Sequence, residues 1–115
     1  MDEIKIVKEK ITLENLKKIA KERFGDMVKA VVDIEQRLMA IGGDLHADAE
    51  ALLLEQGSKQ ENLWGINLYV NMPKEEFLEF DSMINIRPRQ NNRSKSVEDP
   101  QVQKQIIEIV NKLVE

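Results

Sequence analysis

A histidine and two carboxylates stand at alternate positions near the middle of the chain, as His46, Asp48 and Glu50. Imidazole and carboxylate groups act as general acids and bases, and divalent metals accept them as ligands. In a strand all three side chains would project from one face, whereas in a helix His46 and Glu50 would pair and Asp48 would point elsewhere. They are the candidate catalytic residues, with helix stabilisation as the alternative role. Because His46 is the only histidine in the chain and no cysteine is present, we predict no metal site.

A second set of candidates lies between residues 82 and 98, where four side chains are basic and one is acidic. Arginine forks bind phosphate or carboxylate through paired hydrogen bonds, and the backbone amides of a turn add further donors. The alternative is that these arginines pair with the acidic segment 44–61. We predict a local anion site formed by Asn85, Arg87, Arg89, Asn92, Arg93 and Ser94.

The single tryptophan and the single tyrosine are Trp64 and Tyr69, which could stack on a ligand if exposed. Their position in an alternating apolar segment favours core packing for Trp64. The four serines lie in no context typical of an activated nucleophile, so nucleophilic hydrolysis is not expected.

The composition narrows the classes of function. The chain has 115 residues, with 17 basic and 21 acidic side chains and a net charge of −4. This length suits one domain, residues 1–115, and the acidic balance disfavours nucleic acid, which binds a broad basic surface. The absence of cysteine excludes disulfides and favours the cytoplasm. Apolar runs reach only four residues and the first six residues do not resemble a signal peptide, so we expect neither a membrane span nor export.

Three segments with apolar residues at spacings of three and four predict helices. The first follows Thr12 and ends at Gly25. The second covers residues 45–56 with Asp44 as its cap, although alternation in its first half leaves a strand open. The third follows Asp99, with a predicted buried stripe of Val102, Ile106, Ile109 and Leu113.

Strands are predicted where β-branched residues cluster or apolar residues alternate. Residues 28–34 and 38–41 suit a hairpin, 63–70 a strand burying one face, and 77–86 a further strand. Residues 4–7 could form a short strand or remain loose, and 93–97 could extend a hairpin. The predicted class is α+β, with about four mainly antiparallel strands and three helices in the order helix, strand, strand, helix, strand, strand, helix.

Three segments together give the chain a family resemblance. They are residues 42–50, residues 57–65, and residues 82–88 followed by 92–94. As a set they resemble a small bacterial family that is known only as a domain of unknown function, and the likeness extends over nearly the whole chain. The resemblance implies no activity, cofactor or catalytic residue. It directs attention to seven residues within these segments, which are His46, Asp48, Glu50, Trp64, Asn85, Arg87 and Arg93.

The sequence therefore predicts a cytoplasmic module that binds a small anionic ligand or a protein partner. The alternative is a metal-assisted or acid–base enzyme acting on a phosphate-bearing substrate, with His46, Asp48 and Glu50 as its acid, base or ligands. No cofactor is expected. Convergence of His46 and Arg87 in one cleft would favour the enzyme, whereas separate sites and an apolar surface patch would favour protein interaction.

Overall fold

A computed structural model describes residues 4–115, which contain three α-helices and one five-stranded sheet. The strands are β1 (Lys5–Val7), β2 (Met27–Asp33), β3 (Leu38–Ile41), β4 (Leu63–Tyr69) and β5 (Leu78–Glu79), and the helices are α1 (Leu13–Arg23), α2 (His46–Glu55) and α3 (Pro100–Leu113). The strand order is β1-β3-β2-β4-β5, with every pair antiparallel. The predicted α+β class is confirmed.

The centre of the sheet is the pairing of β2 with β4, which runs without interruption from Met27 opposite Tyr69 to Asp33 opposite Leu63. The predicted β2–β3 hairpin is present. Its turn is held by the buried carboxylate of Asp33, which accepts the N–H groups of Glu35 and Gln36 at 2.9 Å each. Of the two alternatives for residues 4–7, a short strand or a loose segment, the structure shows the strand: β1 pairs with the outer side of β3.

Helices cover both faces of the sheet. Leu16 of α1 and Ile106 of α3 belong to one core cluster, whereas Leu53 of α2 packs with Val31 and Leu63 in a second cluster on the opposite face. Because β4 lies between the two clusters, its residues from Leu63 to Leu68 are all buried. The prediction that residues 63–70 bury only one face is therefore wrong.

The helix predictions are confirmed, with one correction at a cap. Thr12 caps α1 by accepting the N–H of Asn15, and Asp99 caps α3 by accepting that of Gln101. At α2, however, Leu45 occupies the cap position without any side-chain hydrogen bond. Asp44 instead accepts a hydrogen bond from the guanidinium of Arg23 at 2.9 Å.

The predicted strand at residues 77–86 is wrong over most of its length. Only Leu78 and Glu79 pair with β4, and the chain then forms a short 3₁₀ turn, Met83–Asn85. The reason is the side chain of Asn85, which accepts from the N–H of Gly65 at 2.8 Å and donates to its carbonyl at 3.0 Å. The Asn85 side chain thus forms the hydrogen bonds to Gly65 that a neighbouring strand would otherwise form. The hairpin extension considered for residues 93–97 is also a loop.

Among the described residues, none of the helices is both long enough and apolar enough to cross a membrane.

Candidate functional site

The helical conformation of α2 separates the three candidate catalytic residues. His46 is buried and faces the sheet, Asp48 is exposed, and Glu50 is half-buried one turn after His46. Over residues 4–115 no group of three or more histidine, aspartate or glutamate side chains could hold a metal ion. The three residues therefore form no common centre, and the strand reading of residues 44–56 is wrong.

His46 lines a cleft of about 290 Å³ between the N-terminus of α2 and the segment 81–84, which we call the α2 cleft. Two lysines, Lys29 and Lys95, border this cleft, and Asp81 is the acidic residue on its wall. Leu45 and Met83 form an apolar rim, with 58% and 68% of their surfaces exposed. The cleft thus combines positive charge, a polar floor and apolar edges.

The imidazole of His46 is oriented by the backbone of β4. Its Nε2 lies 2.8 Å from the carbonyl oxygen of Ile66. Because a carbonyl oxygen only accepts, Nε2 carries the hydrogen, and Nδ1 of the neutral ring holds a lone pair. Burial of the ring lowers the pKa of His46 below its ordinary value of 6.5, the hydrogen bond to Ile66 raises it in part, and the charge of Lys29 lowers it further.

Asn67 lies next to His46, and its hydrogen-bond partners determine the orientation of its side-chain amide. Its Nδ2 donates to a carboxylate oxygen of Glu79 at 2.9 Å and to the carbonyl of Asp81 at 3.2 Å. Both partners are acceptors, so the opposite amide orientation is excluded. The oxygen Oδ1 is consequently directed elsewhere, and it is buried without a hydrogen-bond partner among the described residues.

The N-terminus of α2 adds donors to the same cleft. Ala47 in the first turn of the ten-residue helix lines the cleft, and Leu45, at the cap position, makes no side-chain hydrogen bond to this end. Helix N-termini carry unpaired N–H groups and a partial positive charge. Together with Lys29 and Lys95, they make the α2 cleft locally positive although the chain as a whole is acidic.

The two asparagines of the predicted anion segment bond within the protein. Asn85 is fully buried between Gly65 and the carbonyl of Lys95. Asn92 is also buried, and its Nδ2 lies 2.7 Å from the carbonyl oxygens of both Asn85 and Ser96, while its Oδ1 accepts the N–H of Glu98 at 2.8 Å. Their amides join the loop 85–98 to the sheet.

Arg87 is half-buried and is held against the start of β4. Its guanidinium donates to the carbonyls of Gln60 and Leu63 and lies 4.1 Å from the centre of the Trp64 ring. Burial lowers the pKa of Arg87, and the charge of Glu50 opposes that shift. Arg87 does not line the α2 cleft, so it and His46 belong to separate sites. The expected core position of Trp64 is confirmed.

The remaining members of the predicted anion segment lie at the surface. The backbone N–H groups of Arg93 and Ser94 donate to one carboxylate oxygen of Glu98, at 3.0 and 2.9 Å. These contacts, with the Ser94 side chain as the largest cause, lower the pKa of Glu98. The turn amides thus hold a carboxylate of the chain itself, while Arg89 is exposed.

Sequence reasoning identified His46 as a candidate and counted Lys95 only among the four basic residues between 82 and 98. It missed Lys29, Asn67 and Asp81 as residues of one cleft. A signal was present at Asn67, a polar residue within the apolar segment 63–70, and at Lys29, within the apolar segment 27–32. A buried polar side chain needs hydrogen-bond partners, so its place in a strand marks a polar site.

Comparison with known proteins gives one match. The family model described as "Protein of unknown function (DUF5674)" matches residues 5–113. The chain matches no curated protein and no solved structure.

Proposed function

The chain belongs to this DUF5674 family of proteins of unknown function, and we propose that it is a binding module for small anionic organic molecules, with the α2 cleft as its site. One observation carries the proposal. Lys29, Lys95 and the N-terminus of α2, where Leu45 makes no side-chain cap hydrogen bond, all border a cleft of about 290 Å³. This volume is near the lower end of the range, about 300–1,000 Å³, of small-molecule pockets.

The rim of the cleft indicates the kind of anion. Leu45 and Met83 expose more than half of their surfaces beside the charged groups. Exposed apolar residues next to polar groups are typical of ligand sites. The proposed ligand therefore carries a carboxylate, phosphate or similar head group, which meets the lysines and the helix end, and a short apolar portion, which covers Leu45 and Met83.

A titration with alkyl sulfonates tests this proposal, because a sulfonate keeps its negative charge at all working pH values. Butanesulfonate should shift the backbone resonances of Lys29, Ala47 and Asn67 and bind more tightly than methanesulfonate, which has the same head group and no apolar chain. Butylammonium, with the opposite charge, should not shift them. Absence of any shift at these residues at millimolar butanesulfonate would contradict the proposal.

Variants that each remove one positive charge test whether the lysines of the cleft bind the anion. Lys29→Gln and Lys95→Gln should each weaken binding of butanesulfonate several-fold, whereas Lys104→Gln, which removes an equal charge from the exposed surface of α3, should not. Equal weakening in all three variants would mean that net charge alone attracts the anion.

The anion site predicted at Asn85, Arg87, Arg89, Asn92, Arg93 and Ser94 remains a second proposal. Its exposed cations, Arg89 and Arg93, could bind phosphate at the surface, although Glu98 already occupies two amides of the turn. Phosphate shifts at Arg93 and Ser94 that are lost in Arg93→Ala would support this site, and shifts confined to the α2 cleft would reject it.

The acid–base enzyme remains the less favoured alternative, since His46 and Arg87 lie in separate places and His46, Asp48 and Glu50 do not converge. We also propose a cytoplasmic location, because the chain contains no cysteine. The resemblance of its motifs to a bacterial family supports a bacterial origin.

A further inference from the structure

Two oxygen acceptors lie near the side chain of His46. One is the carbonyl of Ile66, 2.8 Å from Nε2. The other is Oδ1 of Asn67, which lines the same cleft, is buried without a hydrogen-bond partner among the described residues, and would raise the pKa of His46 by accepting a hydrogen bond from the ring. Asn67 cannot offer its NH₂ group instead, because that group donates to Glu79 and to the carbonyl of Asp81. His46 is thus the available donor for both oxygens.

A neutral imidazole has one N–H and can serve only one of these acceptors. With the hydrogen on Nε2, Ile66 is satisfied and His46 offers no donor to Oδ1 of Asn67, which is buried without a hydrogen-bond partner among the described residues. With the hydrogen on Nδ1, a lone pair would face the carbonyl of Ile66. Only the imidazolium, with a hydrogen on each nitrogen, can satisfy both oxygens. The hydrogen-bonding surroundings of His46 therefore suit its charged form.

Other groups around the ring oppose that charge. Burial of His46 and the positive charge of Lys29 on β2 disfavour the imidazolium, while Asp81 after β5 favours it. Lys95, from the loop before α3, borders the same cleft and adds a further positive charge. On α2 itself, Asp48 is exposed and Glu50 lies a turn away near Arg87. The balance lowers the pKa of His46.

An anion in the α2 cleft would change this balance in one direction. Its negative charge would offset Lys29 and Lys95 and would favour a positive charge on the neighbouring ring. We propose that binding of an anion in the α2 cleft transfers a proton from solvent to Nδ1 of His46, which then donates to Oδ1 of Asn67. The site would take up an anion and a proton together.

This inference rests on the proposed function and adds a pH dependence to it. If the anion raises the pKa of His46, linkage requires that protonation of His46 strengthens anion binding by the same factor. Affinity should therefore increase as the pH falls from 8 to 5, through the pKa of the bound state, and level off below the pKa of the free state. Each unit of increase in the pKa corresponds to about tenfold tighter binding at the acidic end.

Because His46 is the only histidine, its imidazole resonances can be followed by NMR without ambiguity. The pKa should be measured in the free protein and in saturating butanesulfonate, whose own charge is constant from pH 5 to 8. We expect a value below 6.5 in the free protein and an increase of about one unit, a tenfold change in binding, with the anion. His46→Gln, which keeps an amide donor for Ile66 but cannot take up a proton, should bind with one affinity throughout this range.

Asn67→Ala tests the positioning role of the amide. The anion should raise the pKa of His46 less in this variant than in the original protein, because Nδ1–H loses its acceptor. If Asn67→Ala does not fold, the pKa of His46 in the original protein, measured with and without butanesulfonate, tests the proton coupling by itself. Butanesulfonate shifts at Ala47 and Asn67 with an unchanged pKa of His46 would overturn the proton coupling and leave the binding site standing, whereas absence of any shift would overturn both.

Discussion

At the scale of single residues, asparagines hold the irregular part of this protein to its sheet. Asn85 forms both strand-type hydrogen bonds to Gly65, and Asn92 connects the carbonyls of Asn85 and Ser96 to the N–H of Glu98. Both asparagine side chains are buried, so loss of either amide would leave the backbone groups that it bonds without this partner inside the protein. The polar residues of the family motif at 82–94 are therefore, in part, structural.

We predict that Asn92→Ala destabilises the fold strongly. It removes the side-chain partner of the carbonyls of Asn85 and Ser96 and of the N–H of Glu98, at a cost of about 1–3 kcal/mol for each of these groups that stays buried and unpaired. Asn92→Asp should also destabilise, because a carboxylate oxygen would face the carbonyls that Nδ2 now contacts. Asn91→Gly is the control, since Asn91 is exposed and has φ 60°, which glycine adopts freely. Urea denaturation gives the free energies, and a value for Asn92→Ala equal to that of Asn91→Gly would disprove this role.

The sequence predicts Arg87 as a residue of an anion site, and in the structure its guanidinium makes contacts within the protein. Its donors bind two carbonyls before and within β4, and its flat face covers Trp64. Guanidinium groups stack on aromatic rings and donate in fixed directions, and a lysine would do neither in the same way.

At the scale of elements, α3 illustrates how well an amphipathic helix can be predicted. Ile106, Ile109 and Leu113 of the predicted stripe are buried, Val102 is half-buried, and Val110 joins the same face. Pro100 and the cap at Asp99 begin the helix where expected. Helix periodicity places these residues against the sheet whatever the order of the strands.

We predict that Ile106→Ala and Ile109→Ala each lower the free energy of unfolding by about 2–5 kcal/mol, because each removes buried methyl groups and leaves a cavity. Ile107→Ala is the matched control on the same helix, with the same atoms removed from a side chain that is 42% exposed. It should cost much less. Chemical denaturation followed by circular dichroism provides the comparison, and equal losses in all three variants would show that α3 does not face the core as described.

The strands were harder to predict than the helices. β2 and β3 agree with the sequence to within a residue, but the apparent strand at 77–86 contains only two paired residues. Ile84 and Ile86 alternate with polar residues, which is typical of a strand, yet Asn85 turns the chain by bonding to Gly65. A Cβ on Gly65 would lie 2.6 Å from Ser82, so this close approach also depends on glycine.

At the scale of the whole molecule, the two core clusters share one sheet. Val31 of β2 packs towards α2, while its neighbours Ala30 and Val32 pack towards α1 and α3. A disturbance on either face therefore reaches the same two central strands. This arrangement favours a single cooperative unfolding transition.

We predict that Leu16→Ala on α1 and Leu53→Ala on α2 each destabilise the whole protein, although their side chains lie on opposite faces. Both are almost completely buried, so each should cost about 2–5 kcal/mol. In both variants the midpoints by circular dichroism and by Trp64 fluorescence should coincide. Leu54→Ala, next to Leu53 but 41% exposed, is the control. Separate midpoints for the two signals would indicate that the faces unfold independently.

The sequence by itself determined the α+β class, the three helices, the β2–β3 hairpin and the family. These features depend on local periodicity, caps and turn residues, or on motifs that can be read in order. The tertiary structure decided which polar residues meet. Lys29, His46, Asn67 and Lys95 come from separate strands, a helix and a loop, so their convergence depends on strand order and on the unexpected turn at residues 83–85. A hydrogen bond to a distant backbone group, such as that of Asn85 to Gly65, leaves no periodic pattern along the chain, and for that reason the site appears only once the sheet is assembled.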